Sequence, residues 1–390
     1  MFLKKLLTEN VSLSEYALHC HSKGMLLPDT YLLDLDTIEE NAQHILREAN
    51  NHNIGMYYML KQLGRIPSVG EMLSSMGYRG AVCVDFREAL SLIKNDVRIG
   101  HVGHLSQTPR AALEKILNAK PEIITVYSIE KATQISEICA QLGFRQNIML
   151  RIIGDTANLY PGQYGGFRHN ELEDTAQKLG LLRGINIAGV CSFPCILFDS
   201  NSGKFKPTPN LYNVIEGAKL LRERGYDIRQ INLPSCTCAA SIPLIADEDG
   251  NFGEPGHGLI GTTPYHAICG NGPERPAILY LSEISHNLDG KAYCYGGGWY
   301  RRSGSFDALV GDNLSNAFEV SVSSPSPENI DYFLELERSA PVGTPVIMSF
   351  RTQIFDTRSH VAVIRGLRDG KPELEGIYSS QGEPIYGSCI

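Results

Sequence analysis

Lys61 ends the apolar run Tyr57-Tyr58-Met59-Leu60 and stands before Gln62-Leu63-Gly64-Arg65. An amine held where a buried strand leaves the core is partly desolvated. Desolvation disfavours the ammonium form and leaves a neutral amine able to condense with an aldehyde. Two distant segments combine hydroxyls with glycines: Leu233-Pro234-Ser235-Cys236-Thr237-Cys238 and Glu254-Pro255-Gly256-His257-Gly258. Hydroxyls and closely approaching backbone amides are the groups that hold a phosphate. Cys191 with Cys195, Cys236 with Cys238, and Cys20-His21 have no second pair at zinc-ribbon spacing. They are read as buried small hydrophobes, and no metal is expected.

Short apolar, β-branched runs alternate with amphipathic stretches. The strand candidates are 55–60, 80–84, 98–103, 123–127, 147–153, 186–193, 228–234 and 252–261. Between them, 67–77, 86–94, 109–120, 130–142, 170–181 and 209–225 have helical texture, several closed by glycine, as at Gly77, Gly143 and Gly225. Eight such units predict a parallel (β/α)8 TIM barrel, an α/β fold with its helices outside. The alternative, a doubly wound open sheet, calls for a glycine fingerprint after its first strand, and Lys61-Gln62-Leu63-Gly64-Arg65-Ile66-Pro67 is not one. In a barrel, Lys61 closes the first strand on the face that carries active sites. The hydroxyl and glycine segments follow strands seven and eight, where a barrel holds a phosphate. Pyridoxal phosphate supplies both the aldehyde and the phosphate.

Beyond about residue 265, Pro, Gly, Ser and aromatic residues dominate, and ILYLSEI, AYCYGGGWY, PVIMSF and VAVIRGL have the texture of antiparallel strands. The expected division is an N-terminal segment 1–36, a barrel 37–264 and a C-terminal β domain 265–390.

The chain of 390 residues, 43% of them hydrophobic, can bury a sizeable core. Its formal net charge of -8 and its lack of basic clusters interleaved with aromatics argue against nucleic acid as a partner. The opening MFLKKLLTENVSLSEYALHC lacks an apolar region of signal-peptide length, and no segment reaches the length of a membrane span. A cytoplasmic protein with reduced cysteines is therefore expected.

With these residues in hand, the chain resembles the pyridoxal-phosphate enzymes of the alanine-racemase fold (fold type III), and among them the YhfX-type bacterial proteins. Pro28-Asp29-Thr30-Tyr31-Leu32-Leu33-Asp34-Leu35-Asp36 resembles the strand that pairs with the C-terminal β domain before the barrel begins. The resemblance implies that Lys61 is the Schiff-base lysine, that Ser235, assisted by Thr237, binds the phosphate, and that the amides of Gly256 and His257 hold it. Gly64-Arg65-Ile66-Pro67 is similar to the segment that follows the lysine in the aldolase branch, which places Arg65 among the cofactor contacts. Glu254 matches the glutamate of the decarboxylases' Glu-Pro-Gly, where the racemases have arginine; a carboxylate there keeps the pyridine nitrogen protonated.

The stretch 292–300 resembles the racemase segment that carries a second acid/base tyrosine, here Tyr295, supplied by a partner subunit. The Cys-Asp motif of the decarboxylases is not found after Glu254, and Ser359-His360-Val361-Ala362 lacks the cysteine of the aldolase zinc pair. In two places the chain departs from the family. Ser192 replaces a ring-stacking histidine, and Gln163, in Tyr160-Pro161-Gly162-Gln163, replaces a substrate-side arginine. Gln163 and Arg301, with Arg302 beside it, are the candidates for substrate contact.

The resemblance thus implies a homodimer with shared active sites that racemises or epimerises a small amino acid, by α-proton abstraction from an external aldimine. Amino-acid decarboxylation is the first alternative and a non-catalytic pyridoxal-phosphate homeostasis protein the second.

Overall fold

The computed structural model describes residues 2–270, 272–300, 303 and 307–385. By compactness they form two units, one of residues 45–60 and 67–256, the other of the N-terminal stretch to residue 44, residues 61–66 and residues from 257 onward.

The first unit is the barrel. Its strands are Gly55–Met56, Ala81–Cys83, Ile99–Val102, Ile123–Val126, Gln146–Ile153, Ile185–Cys191, Gln230–Asn232 and Phe252–Gly253. They pair in parallel in chain order, and the eighth returns to the first. A further parallel bridge from Tyr58 to Ala81 joins the first strand to the second, so the sheet closes. Strands buried on both faces need apolar residues on both, which is why they read as continuous runs without alternation. Tyr57, Met59, Val82, Ile123, Met149, Ala188 and Phe252 fill the interior. Space is tight there: a Cβ on Gly100 would lie 2.5 Å from the Tyr57 ring.

Six helices follow at the places the sequence marks, among them Pro67–Ser75, Phe86–Lys94, Ile129–Leu142 and Pro209–Glu223. Asp85 and Ser128 cap two of them by accepting from Glu88 N and Lys131 N, and Gly143 at φ +77° closes the helix that Ser128 opens, in a left-handed backbone that glycine adopts without a steric penalty. The eighth strand is shorter than its apolar run, because residues 254–261 carry the glycines and Glu254 that turn the chain out of the sheet.

The second unit is built on a nine-stranded sheet. Thr30–Asp34 lies in its middle, antiparallel to Ile278–Leu288 and parallel to His360–Arg365. The N-terminal strand thus joins the C-terminal β domain, as the family resemblance implies. Pro345–Met348, Asp307–Val310, Phe318–Ser321 and Glu373–Ser379 extend the sheet, while Lys291–Tyr295 and Phe333–Leu336 branch from Ile278–Leu288. Two helices not anticipated from the sequence, Leu3–Glu9 and Val11–Ser22, pack Leu6, Leu13 and Ala17 onto Leu32, Leu279 and Ile347. Between them Asn10 donates to the Asp34 carboxylate at 2.8 Å and to the Pro276 carbonyl at 3.0 Å.

Candidate active site

In the barrel unit, four strands converge on Glu254, which directly follows the eighth strand and has a side chain with no solvent exposure. His101 on the third strand donates from Nδ1 to Oε1 at 2.6 Å, and Asn232 at the end of the seventh strand donates to the same oxygen at 2.5 Å. The other His101 nitrogen meets Thr125 Oγ1 at 2.6 Å, and that hydroxyl lies 3.7 Å from the Cys191 thiol. His104 Nε2 is 3.8 Å from Glu254 Oε2, which accepts no hydrogen bond from the described residues. Burial alone would push this carboxyl up. The imidazoles of His104 and His101 and the two hydrogen bonds outweigh burial and hold it at about 2, so the group is an anion.

The ligand atoms of His101, His104 and Glu254 lie within 4.8 Å of one another. However, the 2.6 Å between Nδ1 and Oε1 is a hydrogen-bond distance, whereas two ligands of one tetrahedral zinc stand roughly 3.3 Å apart. A proton occupies this gap.

The seventh strand runs into Ser235 at φ +106° and Cys236 at φ +51°. Two successive residues in this region are costly for non-glycine side chains, and such strain concentrates where backbone amides serve a ligand. Thr237 is buried and its hydroxyl accepts from Glu254 N at 3.4 Å, which ties this loop to the start of the Glu254 segment. Gly256, also buried, is the last residue of the barrel unit.

Beside this cluster stands a buried cation. Arg151, on the fifth strand, has no exposure and no carboxylate partner among the described residues. It donates to Tyr127 Oη at 2.6 Å and to the Gln163 carbonyl at 2.8 Å, while its Nε has no acceptor. The sequence led us to expect the loss of an arginine at Gln163; the fold brings a guanidinium to that residue from the strand instead. The Gln163 amide oxygen and the Ser192 hydroxyl are buried without a hydrogen-bond partner among the described residues.

In the second unit, Lys61 opens a single 3-10 turn, Lys61–Leu63, and is half-buried. Gly64 at φ +73° and Arg65 at φ +57° then reverse the chain. Arg65 is buried, donates to Gln381 at 2.7 Å and lies over the Phe355 ring at 4.7 Å. The His257 side chain is held by Thr262 at 3.0 Å on one nitrogen and by the Arg351 Nε–H at 3.3 Å on the other. Burial, then the charges of Arg351 and Lys61, push the imidazole well below its usual range and keep it neutral. Tyr295 ends the strand Lys291–Tyr295 at 38% exposure, its ring 6.0 Å from that of Phe333. Arg301 and Arg302 lie outside the described residues.

His101, His104, Asn232 and Arg151 were not singled out from the sequence. The available signal was polar side chains inside strands that should be apolar on both faces: two histidines in Ile99-Gly100-His101-Val102-Gly103-His104, and Arg151 within Ile148–Ile153.

A closed parallel barrel with a buried, ionised carboxylate behind its eighth strand, and with a β domain into which an N-terminal strand is threaded, defines an alanine-racemase-fold protein. The family described as alanine racemase, N-terminal domain, matches residues 33–264, and that described as YhfX-like, C-terminal domain, matches residues 279–374. The uncharacterized protein YhfX of Escherichia coli (strain K12) is 38% identical over 386 residues, 99% of this chain and all of that one. Alanine racemase of Clostridium difficile 630 in complex with cycloserine shares the fold at a TM-score of 0.63 and 19% identity, covering 91% of this chain and 99% of that one. Diaminopimelate decarboxylase of Helicobacter pylori complexed with L-lysine does so at 0.67 and 14%, covering 94% and 97%. The chain belongs to the alanine-racemase-fold family as a YhfX-like protein. No helix among the described residues is long and apolar enough to cross a membrane.

Proposed function

We propose that the protein is a pyridoxal-phosphate-dependent racemase or epimerase that removes and returns the α-proton of a small amino acid. The observation that carries the cofactor dependence in this reading is Glu254 Oε2, a buried carboxylate oxygen with negative charge and no hydrogen-bond donor among the described residues. An unsatisfied buried anion is costly, and a protonated pyridine nitrogen is the donor it lacks. When bound, the cofactor supplies an aldehyde for the substrate amine and a ring that delocalises the electrons of the broken Cα–H bond.

In this reading Lys61 carries the cofactor and moves the proton on one face of Cα. Ser235, Thr237 and the amides of Gly256 and His257 bind the phosphate. Glu254 keeps the ring nitrogen protonated, and Arg151, a buried guanidinium without a carboxylate, meets the substrate carboxylate. Racemisation requires a second acid/base on the opposite face, a role assigned to Tyr295 of a partner subunit in a homodimer that acts in the cytoplasm.

Glu254 would serve a decarboxylase equally well, since the sequence Glu-Pro-Gly is the decarboxylases' own. One experiment separates the two. Purified protein loaded with pyridoxal phosphate is screened against amino-acid enantiomers in deuterated solvent. Deuterium at Cα of recovered substrate supports racemisation, carbon dioxide release supports decarboxylation, and a bound cofactor with neither outcome points to a carrier.

A further inference from the structure

Among the described residues, Glu254 Oε1 takes both hydrogen bonds and Oε2 takes none. An isolated carboxylate has no reason to be so lopsided, because its two oxygens are equivalent and rotate about χ3. The asymmetry is imposed by His101. Its ring is pinned at both ends, with Nδ1 on Oε1 at 2.6 Å and Nε2 on the Thr125 hydroxyl at 2.6 Å, so it can neither flip nor tilt away. Asn232 reaches the same oxygen at 2.5 Å from the other side.

We propose that His101 is a positioning residue that locks the Glu254 carboxylate so that Oε2 alone is presented to a ligand as an ionised acceptor. The identity of that ligand, a protonated pyridine nitrogen, rests on the reading proposed above; the lock itself does not. An ionised carboxylate only accepts, so the proton of a neutral imidazole lies on Nδ1, facing Glu254, and the Thr125 hydroxyl then donates to Nε2. The groups that face Glu254 are His101, His104 and Asn232, with the Cys191 and Cys195 thiols further off. Of these, His101 and Asn232 hydrogen-bond the carboxylate, His104 Nε2 lies 3.8 Å from Oε2, and His101 is anchored at its far end by Thr125.

The test uses the full chain without cofactor, labelled with carbon-13 at glutamate carboxyls, the Glu254 signal being identified by its loss in Glu254→Gln. In the wild type the carboxyl should remain ionised down to the lowest pH at which the protein stays folded. In His101→Phe the midpoint should rise by about one pH unit or more, since burial then outweighs the remaining partners. In His101→Asn, whose amide nitrogen replaces Nδ1, it should return towards the wild-type value. A His101→Phe titration that overlays the wild type overturns the proposal. So does a His101→Asn protein that behaves like His101→Phe. Should His101→Phe fail to fold, Thr125→Val removes only the distal anchor; a smaller upward shift is expected, and none overturns the lock. Pyridoxal phosphate is then added to each protein. A wild type that shows the lock but binds no cofactor refutes the proposed function and leaves this inference standing.

Discussion

Two carboxyls, one in each unit, lose much of their hydration and are shifted in opposite directions. Glu254, in the barrel, is held at about 2 against an ordinary 4.5, whereas Asp29, before the N-terminal strand, is pushed up to about 6 from 3.8. Burial raises both. What separates them is the company each keeps: two imidazoles and an amide around Glu254, against the hydroxyls of Ser359 and Tyr280 and the acid Asp331 near Asp29. Hydroxyl hydrogen bonds and the neighbouring Arg358 offset only part of the desolvation of Asp29. The two imidazoles and the hydrogen bonds from His101 and Asn232 reverse it outright for Glu254, a difference from 4.5 that corresponds to about 3 kcal/mol. A site that spends two histidines on keeping one buried acid ionised is built around that charge. Asp29 instead fastens the chain: it accepts from Tyr280, on the strand Ile278–Leu288, and from Ser359, just before the strand His360–Arg365, and packs against Gly297 so tightly that a Cβ there would lie 1.9 Å from its Oδ2.

In the proposed function the Glu254 charge serves a cofactor carried on Lys61, so the largest effect is expected from Lys61→Ala. Borohydride should then trap no adduct, and α-proton exchange should fall on the order of 1,000-fold or more. An adduct found on another lysine would move the site. Glu254→Gln keeps the shape and removes the charge. Cofactor binding should largely survive while turnover drops about 100- to 1,000-fold, read from steady-state kinetics beside a binding titration; unchanged turnover would put Glu254 and Asp29 on the same footing as structural acids.

Tyr295→Phe should lower exchange by about 100-fold, and mixing that inactive chain with Lys61→Ala should restore activity through heterodimers holding one intact site. Verified subunit exchange without recovery would refute shared sites.

The smallest effect concerns stability. The folded-state value of Asp29 lies above its unfolded value, so its contribution is fully present below about 3.8 and is lost as pH rises through about 6. Relative to Asp29→Asn, the wild type should therefore be more stable at pH 4 than at pH 7, by about 2 kcal/mol. Glu254 has the opposite sign: its contribution is present above about 4.5 and is lost as pH falls through about 2. Denaturant midpoints of the wild type and Asp29→Asn across this range give the slope, and parallel curves would erase the contrast.

The barrel was legible in the chain because strands buried on both faces must be apolar throughout and helices must end where glycine releases the backbone. Phe86–Lys94 lies where its amphipathic pattern starts and stops, and Gly143 closes its helix in the left-handed region. Helices Leu3–Glu9 and Val11–Ser22 were missed, since each is short and what stabilises it is packing on Leu32, Leu279 and Ile347, residues distant in sequence. Lys61 and Glu254 stood out locally, one at the end of a strand and one before Pro255-Gly256. What gives Glu254 its charge did not. Residues 101, 125, 232 and 254 sit on or beside four different strands, and in an unclosed chain a histidine at 101 is one polar residue among apolar ones. Closing the barrel removes water from all of them together, and only then do the distances of 2.6 and 2.5 Å set which oxygen is bonded, which is open, and that the group is ionised. Residue type and order determined the fold and the chemical candidates; desolvation and direction, which exist only once the strands meet, decided the charge.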